Sequence, residues 1–193
     1  MAPSTWRVVP PCRPAGLAAD DDPCAALWLD DGRRLSVAPL HPHDAAATQA
    51  FIAALSPDSR YRRFHVGIPM LPPALLARLV DIDQVRHVAL AARVPGLPAL
   101  VAEARYVVDE DAVGAEFAVT VADAWQGLGL GRQLLQRLAR HARGQGLRLL
   151  HGDVLADNRA MRGLVERLGG VLRARADEPG VLQARFDVAA WSA

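Results

Sequence analysis

Three alternate glycines near the middle of the chain have a spacing that could serve phosphate chemistry. Gly127, Gly129 and Gly131 follow an apolar run, and a helical pattern begins among them. A helix N-terminus carries backbone N–H groups without internal partners and a partial positive charge. Glycines in front of it let a phosphate come close to the main chain. The stretch therefore predicts a turn that binds an anion through its backbone.

The spacing of these glycines separates three kinds of phosphate-binding turn. A Walker-type loop needs a lysine after its last glycine, whereas Arg132 follows Gly131. A dinucleotide fingerprint, G-x-G-x-x-G, needs a third glycine where this chain has Arg132 or Leu134. The pattern that remains is Gln126-x-x-Gly129-x-Gly131.

The glycine turn lies within a predicted strand, helix, strand succession. Residues 115–121 have the composition of a strand, and the helix that begins near Leu130 has one apolar and one basic side. Gly144 and Gly146 end this helix, and residues 148–155 form the next strand. Such a crossover makes its two strands parallel neighbours in one sheet.

Further strands and helices are predicted on both sides of this unit. Asp31-Gly32 is typical of a hairpin turn between apolar runs. The basic and aromatic segment 59–65 fits either a surface for an acidic partner or a short helix with a solvated face, and the second is favoured. The other expected strands are residues 27–29, 33–38, 88–94, 100–108, 171–174 and 181–188, and the other expected helices follow Asp44, Ser56, Pro72 and Asp157 or Asn158.

One globular domain is expected from a length of 193 residues. Residues 1–26, rich in proline, alanine and aspartate, are interpreted as a flexible leader, and residues 27–193 as the domain. The net charge of +1 gives no basic excess for a nucleic-acid partner. No apolar run approaches the roughly 20 residues of a membrane span, and no secretory signal is visible, so the expected location is cytoplasmic.

Cysteine and histidine give no sign of a metal site. Cys12 and Cys24 lie in the leader and are expected to be free thiols. The six histidines are scattered, and no cysteine joins them at ligand spacing. We therefore expect no metal.

The pattern Q-x-x-G-x-G between a strand and a helix resembles the pyrophosphate turn of the GCN5-related N-acetyltransferase (GNAT) family. The resemblance covers residues 30–188 and implies an α/β (α+β) fold, in which a mixed, largely antiparallel twisted sheet of about six to seven strands has helices on both faces and a central strand-helix-strand crossover. It also implies acetyl-CoA as co-substrate. The implied cofactor-binding residues are Val119 and Val121 through their backbone, the turn residues Gln126, Gly127, Leu128, Gly129, Leu130, Gly131 and Arg132, and Asn158 after the following strand.

Acetyl transfer to an amine needs a base, because a lysine ammonium with a pKa of about 10.4 must lose a proton before its nitrogen attacks a thioester. Glu116 resembles the glutamate that acts as base in bacterial protein lysine acetyltransferases of this family, the alternative being a solvated strand charge. Glu103, on the neighbouring strand, is expected to orient substrate, or to pair with Arg105 or with a cation of a neighbouring strand. Both glutamates are candidate catalytic residues, and the backbone N–H near Val119 is the expected oxyanion donor.

The acceptor and the leaving group are less constrained by the sequence. Residues 56–64 and 81–90 resemble the protein lysine acetyltransferase branch, which implies a lysine on a metabolic enzyme, for example an acyl-CoA synthetase. A small-molecule amine is the alternative acceptor. The tyrosine that often protonates the thiolate in the family is replaced by Val165, which favours a further alternative, a non-catalytic module that senses acyl-CoA.

Overall fold

The structure, a computed structural model, describes residues 26–191. The predicted leader therefore lies outside the described residues except for Ala26, as do both cysteines. Within the described range, no helix is long and apolar enough to cross a membrane. The same range holds no group of three or more histidine, cysteine, aspartate or glutamate side chains that could bind a metal ion.

A single mixed sheet forms the centre of the molecule. Its strand order is β1-β2-β3-β4-β5-β6-β8-β7, and every neighbouring pair is antiparallel except β5 with β6. The eight strands in residues 26–191 correspond to the eight segments expected from the sequence and slightly exceed the six to seven that the family resemblance implied, since even the two-residue β1 pairs with β2 across the Asp31-Gly32 turn. The strands are β1 Leu27–Trp28, β2 Arg34–Pro39, β3 His87–Arg93, β4 Leu100–Val108, β5 Gly114–Val121, β6 Leu149–Leu155, β7 Val171–Ala174 and β8 Val181–Asp187.

Helices cover both faces of the sheet, as predicted. One face packs on α4 and α5 around a core that includes Leu138 and Phe186, and the other packs on α1 and α3 around Ile52 and Leu79. The apolar side of α4 is fully buried, so the 3.6-residue pattern of this helix decides which of its own sides packs on the sheet. The α-helices of the described range are α1 Ala45–Ala54, α2 Pro57–Phe64, α3 Pro73–Val80, α4 Leu130–Gly144 and α5 Arg159–Arg167.

The parallel strands β5 and β6 separate partway along their length. They pair only where residues 114–116 face residues 149–151. Beyond that point β5 keeps its antiparallel partner β4 as far as Val121, but its other edge has no strand partner. The separation opens a cleft in the middle of the sheet, directly before the glycine turn.

Candidate active site

A cavity of about 850 Å³ lies at this cleft, between α2, β5, the glycine turn and α5. The structure therefore brings together residues that are far apart in the chain, from Asp30 to Arg167. Most of the predicted site residues line this one cavity. These residues are Glu116, Val119, Val121, Gln126, Gly127, Gly129, Gly131, Arg132 and Asn158.

Three predicted site residues do not line the cavity. Leu130 is only 1% exposed and packs in the core against the sheet. Leu128 packs partly against the same core, and its carbonyl accepts a hydrogen bond from the backbone N–H of Asp30. Glu103 is also 1% exposed and lies in an ion-pair cluster under α2.

The glycine turn has the backbone geometry that glycine requires. Gly127 and Gly129 both have φ of 76°, in the left-handed region, and Gly129 is the N-cap of α4. Gly131 lies in the first helical turn, where a Cβ would make ordinary contacts with Leu164 and Val121, each at 3.7 Å. Gly131 therefore leaves space beside β5, whereas Gly127 and Gly129 allow the backbone to adopt the left-handed conformation.

The free edge of β5 carries backbone donors. The N–H of Ala122 donates to the carbonyl of Val101 on β4. Because N–H directions alternate along a strand, the N–H groups of Val119 and Val121 point away from β4 and toward the cleft. Two donors spaced two residues apart thus face the cavity from one strand.

The turn before the glycines is fastened to α2. The carboxylate of Asp123 accepts hydrogen bonds from the backbone N–H of Ser56 at 2.9 Å, from the Ser56 hydroxyl at 2.7 Å and from the Ser59 hydroxyl at 2.7 Å. Burial alone would raise the pKa of Asp123, but these hydrogen bonds prevail and lower it. Gln126 donates from Nε2 to the Ser59 hydroxyl at 3.2 Å and to the Val121 carbonyl at 3.1 Å. Helix α2 and the glycine turn are therefore one connected unit.

Segment 59–65 forms most of α2, as the favoured interpretation predicted, but its face is not only solvated. Ser59, Arg62, Arg63, Phe64 and His65 line the cavity. The only local signal of this arrangement was the Ser56-Pro57 start, where the Ser56 hydroxyl accepts from the Ser59 N–H at 3.2 Å. The bonds to Asp123 join residues more than 60 positions apart, which no local pattern reveals.

A buried ionic cluster stands behind the Arg63 part of the cavity wall. The Glu103 carboxylate lies 2.6 Å from Nη2 of Arg105 and 3.7 Å from Nη2 of Arg63. Arg105 also donates to the Leu79 carbonyl at 2.8 Å. Glu116, by contrast, is exposed, and its carboxylate has no hydrogen bond or ion pair within residues 26–191. The two predicted glutamates therefore have different environments, one paired in the core and one open to the cavity.

The turn between β1 and β2 forms a further wall of the site that the sequence patterns did not indicate. Gln133 of α4 donates from Nε2 to the carbonyl of Trp28 at 2.7 Å. The Arg33 guanidinium lies 4.2 Å from the ring centre of Trp125, just before the glycine turn. Asp30 lines the cavity and lies 3.5 Å from Arg132. An N-terminal hairpin is thus packed on the predicted phosphate site.

Asn158 stands at the opposite side of the cleft, as the N-cap of α5. Its side-chain oxygen accepts a hydrogen bond from the N–H of Met161 at 3.1 Å, so one of its roles is to begin the helix. Val165 follows on the same helix and is completely buried in the core. The side chain at this position therefore packs on the sheet.

The amino-acid sequence matches the model of the acetyltransferase (GNAT) family over residues 74–170. The chain belongs to this family, which confirms the predicted assignment. It is an acyl-CoA-dependent N-acetyltransferase, and acetyl-CoA is its co-substrate.

Similar proteins support the same assignment. An acetyltransferase of Pseudomonas aeruginosa is 41% identical over 145 residues, which are 74% of this chain and 78% of that protein. The acetyltransferase Pat of Mycolicibacterium smegmatis is 33% identical over 151 residues. These residues are 78% of this chain and 44% of Pat. Among solved structures, the GNAT domain of S. lividans PAT has a TM-score of 0.78 at 32% identity, over 84% of this chain and 96% of that domain. The predicted mixed fold is thereby confirmed.

Proposed function

We propose that this acetyltransferase moves the acetyl group of acetyl-CoA to a primary amine, a protein lysine, by direct attack within a ternary complex. The observation that carries the proposal is the position of Glu116. Its unpaired carboxylate lines the same cavity as the free edge of β5 and stands on the same strand. One strand thus offers a base and backbone donors to one substrate-sized space.

In this proposal the donor is held mainly by the backbone. The N–H groups of the glycine turn and the first turn of α4 bind the pyrophosphate, because the N-terminus of a helix has unpaired donors and a partial positive charge. The N–H of Val121 binds the pantetheine arm, and the N–H of Val119 receives the thioester carbonyl, whose oxygen becomes negative during attack. Asn158 and Arg132, which also line the cavity, add side-chain contacts to the donor.

Glu116 acts as the base, through a water molecule, on the acceptor ammonium. The neutral amine then attacks the thioester carbon, and a nitrogen–carbon bond forms. The carbon–sulfur bond breaks, the nitrogen gives its remaining extra proton to water, and CoA leaves as a thiolate. Glu103 cannot reach the amine from the core, so we assign it a positioning role through Arg63, which lines the cavity.

The thiolate takes its proton from solvent in this scheme. Val165 is apolar and buried, and the chain has two tyrosines. Tyr106 is fully buried, its hydroxyl lies 2.9 Å from Nδ1 of His141, and burial raises its pKa above the usual range. Tyr61 is exposed on α2 and does not line the cavity. We therefore assign this role to water in the open cleft.

A protein acceptor is supported by two observations. The chain is similar to Pat and to the GNAT domain of S. lividans PAT at more than 30% identity. Tyr61 on α2 and Val66 and Met70 after it also expose apolar side chains, at 48%, 52% and 64%, in the same stretch of chain as residues 62–65, which line the cavity. A small amine would not need this exposed apolar surface. A lysine on a metabolic enzyme such as an acyl-CoA synthetase is therefore the acceptor that we propose.

The test is release of CoA from acetyl-CoA with a panel of acyl-CoA synthetases, other proteins and small amines. We expect turnover with a protein lysine, located by mass spectrometry. Glu116→Gln should lower kcat by about 10²–10⁴-fold at neutral pH and less near the amine pKa, where the acceptor loses its proton unaided. Asp153→Asn, another carboxylate of the cavity, is the matched control. A ratio between wild type and Glu116→Gln that stays constant with pH would contradict the assignment of the base.

One alternative function is supported by a specific observation. Val165 is buried and apolar, so it cannot donate a proton to the CoA thiolate. This absence of an acid at position 165 favours a module that binds acyl-CoA without turnover. Tight acetyl-CoA binding by calorimetry, without CoA release for any acceptor in the panel, would favour this sensing role over catalysis.

A further inference from the structure

A carboxylate of the chain itself lies against the glycine turn. The Asp30 side chain, on the turn between β1 and β2, is 61% exposed and lines the cavity. Its two oxygens lie 2.9 and 3.0 Å from the point that a Cβ on Gly129 would occupy. The negative charge of Asp30 therefore stands at the N-cap of α4, where the proposed function puts the donor's pyrophosphate.

Asp30 also holds the cation nearest to this point. Its Oδ1 lies 3.5 Å from Nη2 of Arg132, in the first turn of α4. Arg132 has no other hydrogen bond or ion pair within residues 26–191. The arginine that the sequence predicts as a pyrophosphate ligand is thus paired with a carboxylate of the same protein.

The position of Asp30 is fixed by its neighbours on both sides. Gln133 binds the Trp28 carbonyl, and the Asp30 N–H donates to the Leu128 carbonyl at 3.4 Å. Arg33 lies over Trp125. These contacts keep the backbone of the hairpin on the glycine turn, so the Asp30 carboxylate stays within reach of Arg132 while its side chain is free to rotate.

We propose that Asp30 limits the affinity of the site for acetyl-CoA, by opposing the negative pyrophosphate and by occupying Arg132 until the donor arrives. This inference rests on the proposed function. On binding, Arg132 exchanges Asp30 for the pyrophosphate, and Asp30 turns toward water. No covalent bond changes in this exchange. A pyrophosphate with two negative charges displaces a single carboxylate from one guanidinium, and breaking the Asp30–Arg132 pair lowers the net affinity for the donor.

The first test is calorimetric titration of acetyl-CoA into wild type, Asp30→Asn and Asp31→Asn. Asp30→Asn should lower the dissociation constant about three- to tenfold at low salt, and the gain should shrink as salt screens the charges. Asp31→Asn changes the net charge equally in the same turn, but Asp31 pairs with Arg33 and does not line the cavity. This control should show a much smaller change.

The second test separates charge repulsion from a general change of the site. S-acetylpantetheine has the thioester and the pantetheine arm but no pyrophosphate. Asp30→Asn should leave its affinity unchanged, because the part that meets Asp30 is missing. An equal gain for both donors would overturn the inference.

The outcomes also distinguish this inference from the proposed function. Unchanged acetyl-CoA binding by Asp30→Asn, in a protein whose wild type binds, would overturn the role of Asp30 alone. Weaker binding would overturn it too and would show that the carboxylate helps to place Arg132. Absence of acetyl-CoA binding by the wild type would overturn both.

Discussion

At the scale of single residues, the three glycines of the turn have different physical reasons to be glycine. Gly127 and Gly129 need the left-handed conformation, and a side chain on Gly129 would also meet the carboxylate of Asp30. Gly131 needs neither, since a Cβ would make only ordinary contacts there. Its reason is then the empty space that it leaves beside the free edge of β5. Gly131 is consequently the better position for a test of the donor site.

Gly131→Ala should separate folding from donor binding. Alanine favours a helix over glycine by about 1 kcal/mol, so the free energy of unfolding should stay equal or rise. The added methyl group would project toward Val119 and Val121, and overlap with the donor arm should cost about 1–3 kcal/mol of binding. Urea unfolding and acetyl-CoA calorimetry measure the two effects. A fully stable variant that binds acetyl-CoA as wild type does would show that the space beside β5 accommodates a methyl group as well as the donor. Gly144→Ala, near the other end of α4 and open to solvent, is the control for the helix effect.

At the scale of elements, α2 joins the two halves of the site. Its start binds Asp123 and Gln126 next to the glycine turn, and its end carries Arg63 onto the buried Glu103 of β4. Burial alone would raise the pKa of Glu103, but Arg105 and Arg63 outweigh this effect and lower it. Glu103 is therefore ionised in the core and neutralises part of the charge of two arginines.

Glu103→Gln should destabilise the fold more than it changes acetyl-CoA binding. Glutamine keeps the shape but leaves Arg105 and Arg63 without their counter-charge, and breaking a buried ion pair costs about 3–5 kcal/mol. Urea unfolding should show this loss. Asp177→Asn removes one of the carboxylates that pair with Arg175 at the surface and should change stability little. A Glu103→Gln protein as stable as this control would mean that the cluster is solvated in solution.

The elements themselves were largely predictable, because each has a local signal. The apolar side of α4 predicts this helix, the glycines at its end predict where it stops, and Asp31-Gly32 predicts the turn between β1 and β2. The crossover rule makes β5 and β6 parallel neighbours. The walls of the site were less predictable. Asp30 meets Arg132 across 102 positions, and Ser59 meets Asp123 across 64, so both contacts depend on packing that a local pattern does not contain.

At the scale of the whole molecule, two histidines make folding sensitive to mild acid. Burial lowers the pKa of His87, helped by the charge of Arg105, and burial lowers the pKa of His141 beside Tyr106. The unfolded chain therefore binds protons at higher pH than the folded protein does. The contribution of the two neutral rings to the free energy of unfolding is fully present above the ordinary histidine pKa of about 6.5. It is lost as the pH falls from there through the lower pKa values of the folded state.

We expect the free energy of unfolding to fall between about pH 6.5 and 5, before the carboxylates protonate. His141→Gln should reduce the slope in this range, because one of the two proton-binding differences is gone. His43→Gln, at an exposed histidine, should leave the slope unchanged. Urea unfolding at several pH values gives the slope. A stability that stays constant from pH 7 to 5 would contradict the burial of both rings.

The position of the N-terminal strands also has a consequence for how much of the chain makes a usable domain. The segment that matches the family model begins at residue 74, after β1 and β2. In the intact protein β2 pairs with β3, whose residues 88–92 are all buried. A fragment cut to the matched segment would retain the glycine turn and Glu116, yet it would expose β3 as a long, apolar edge strand. Such an edge invites pairing with other chains, so the fragment would aggregate before its chemistry could be measured.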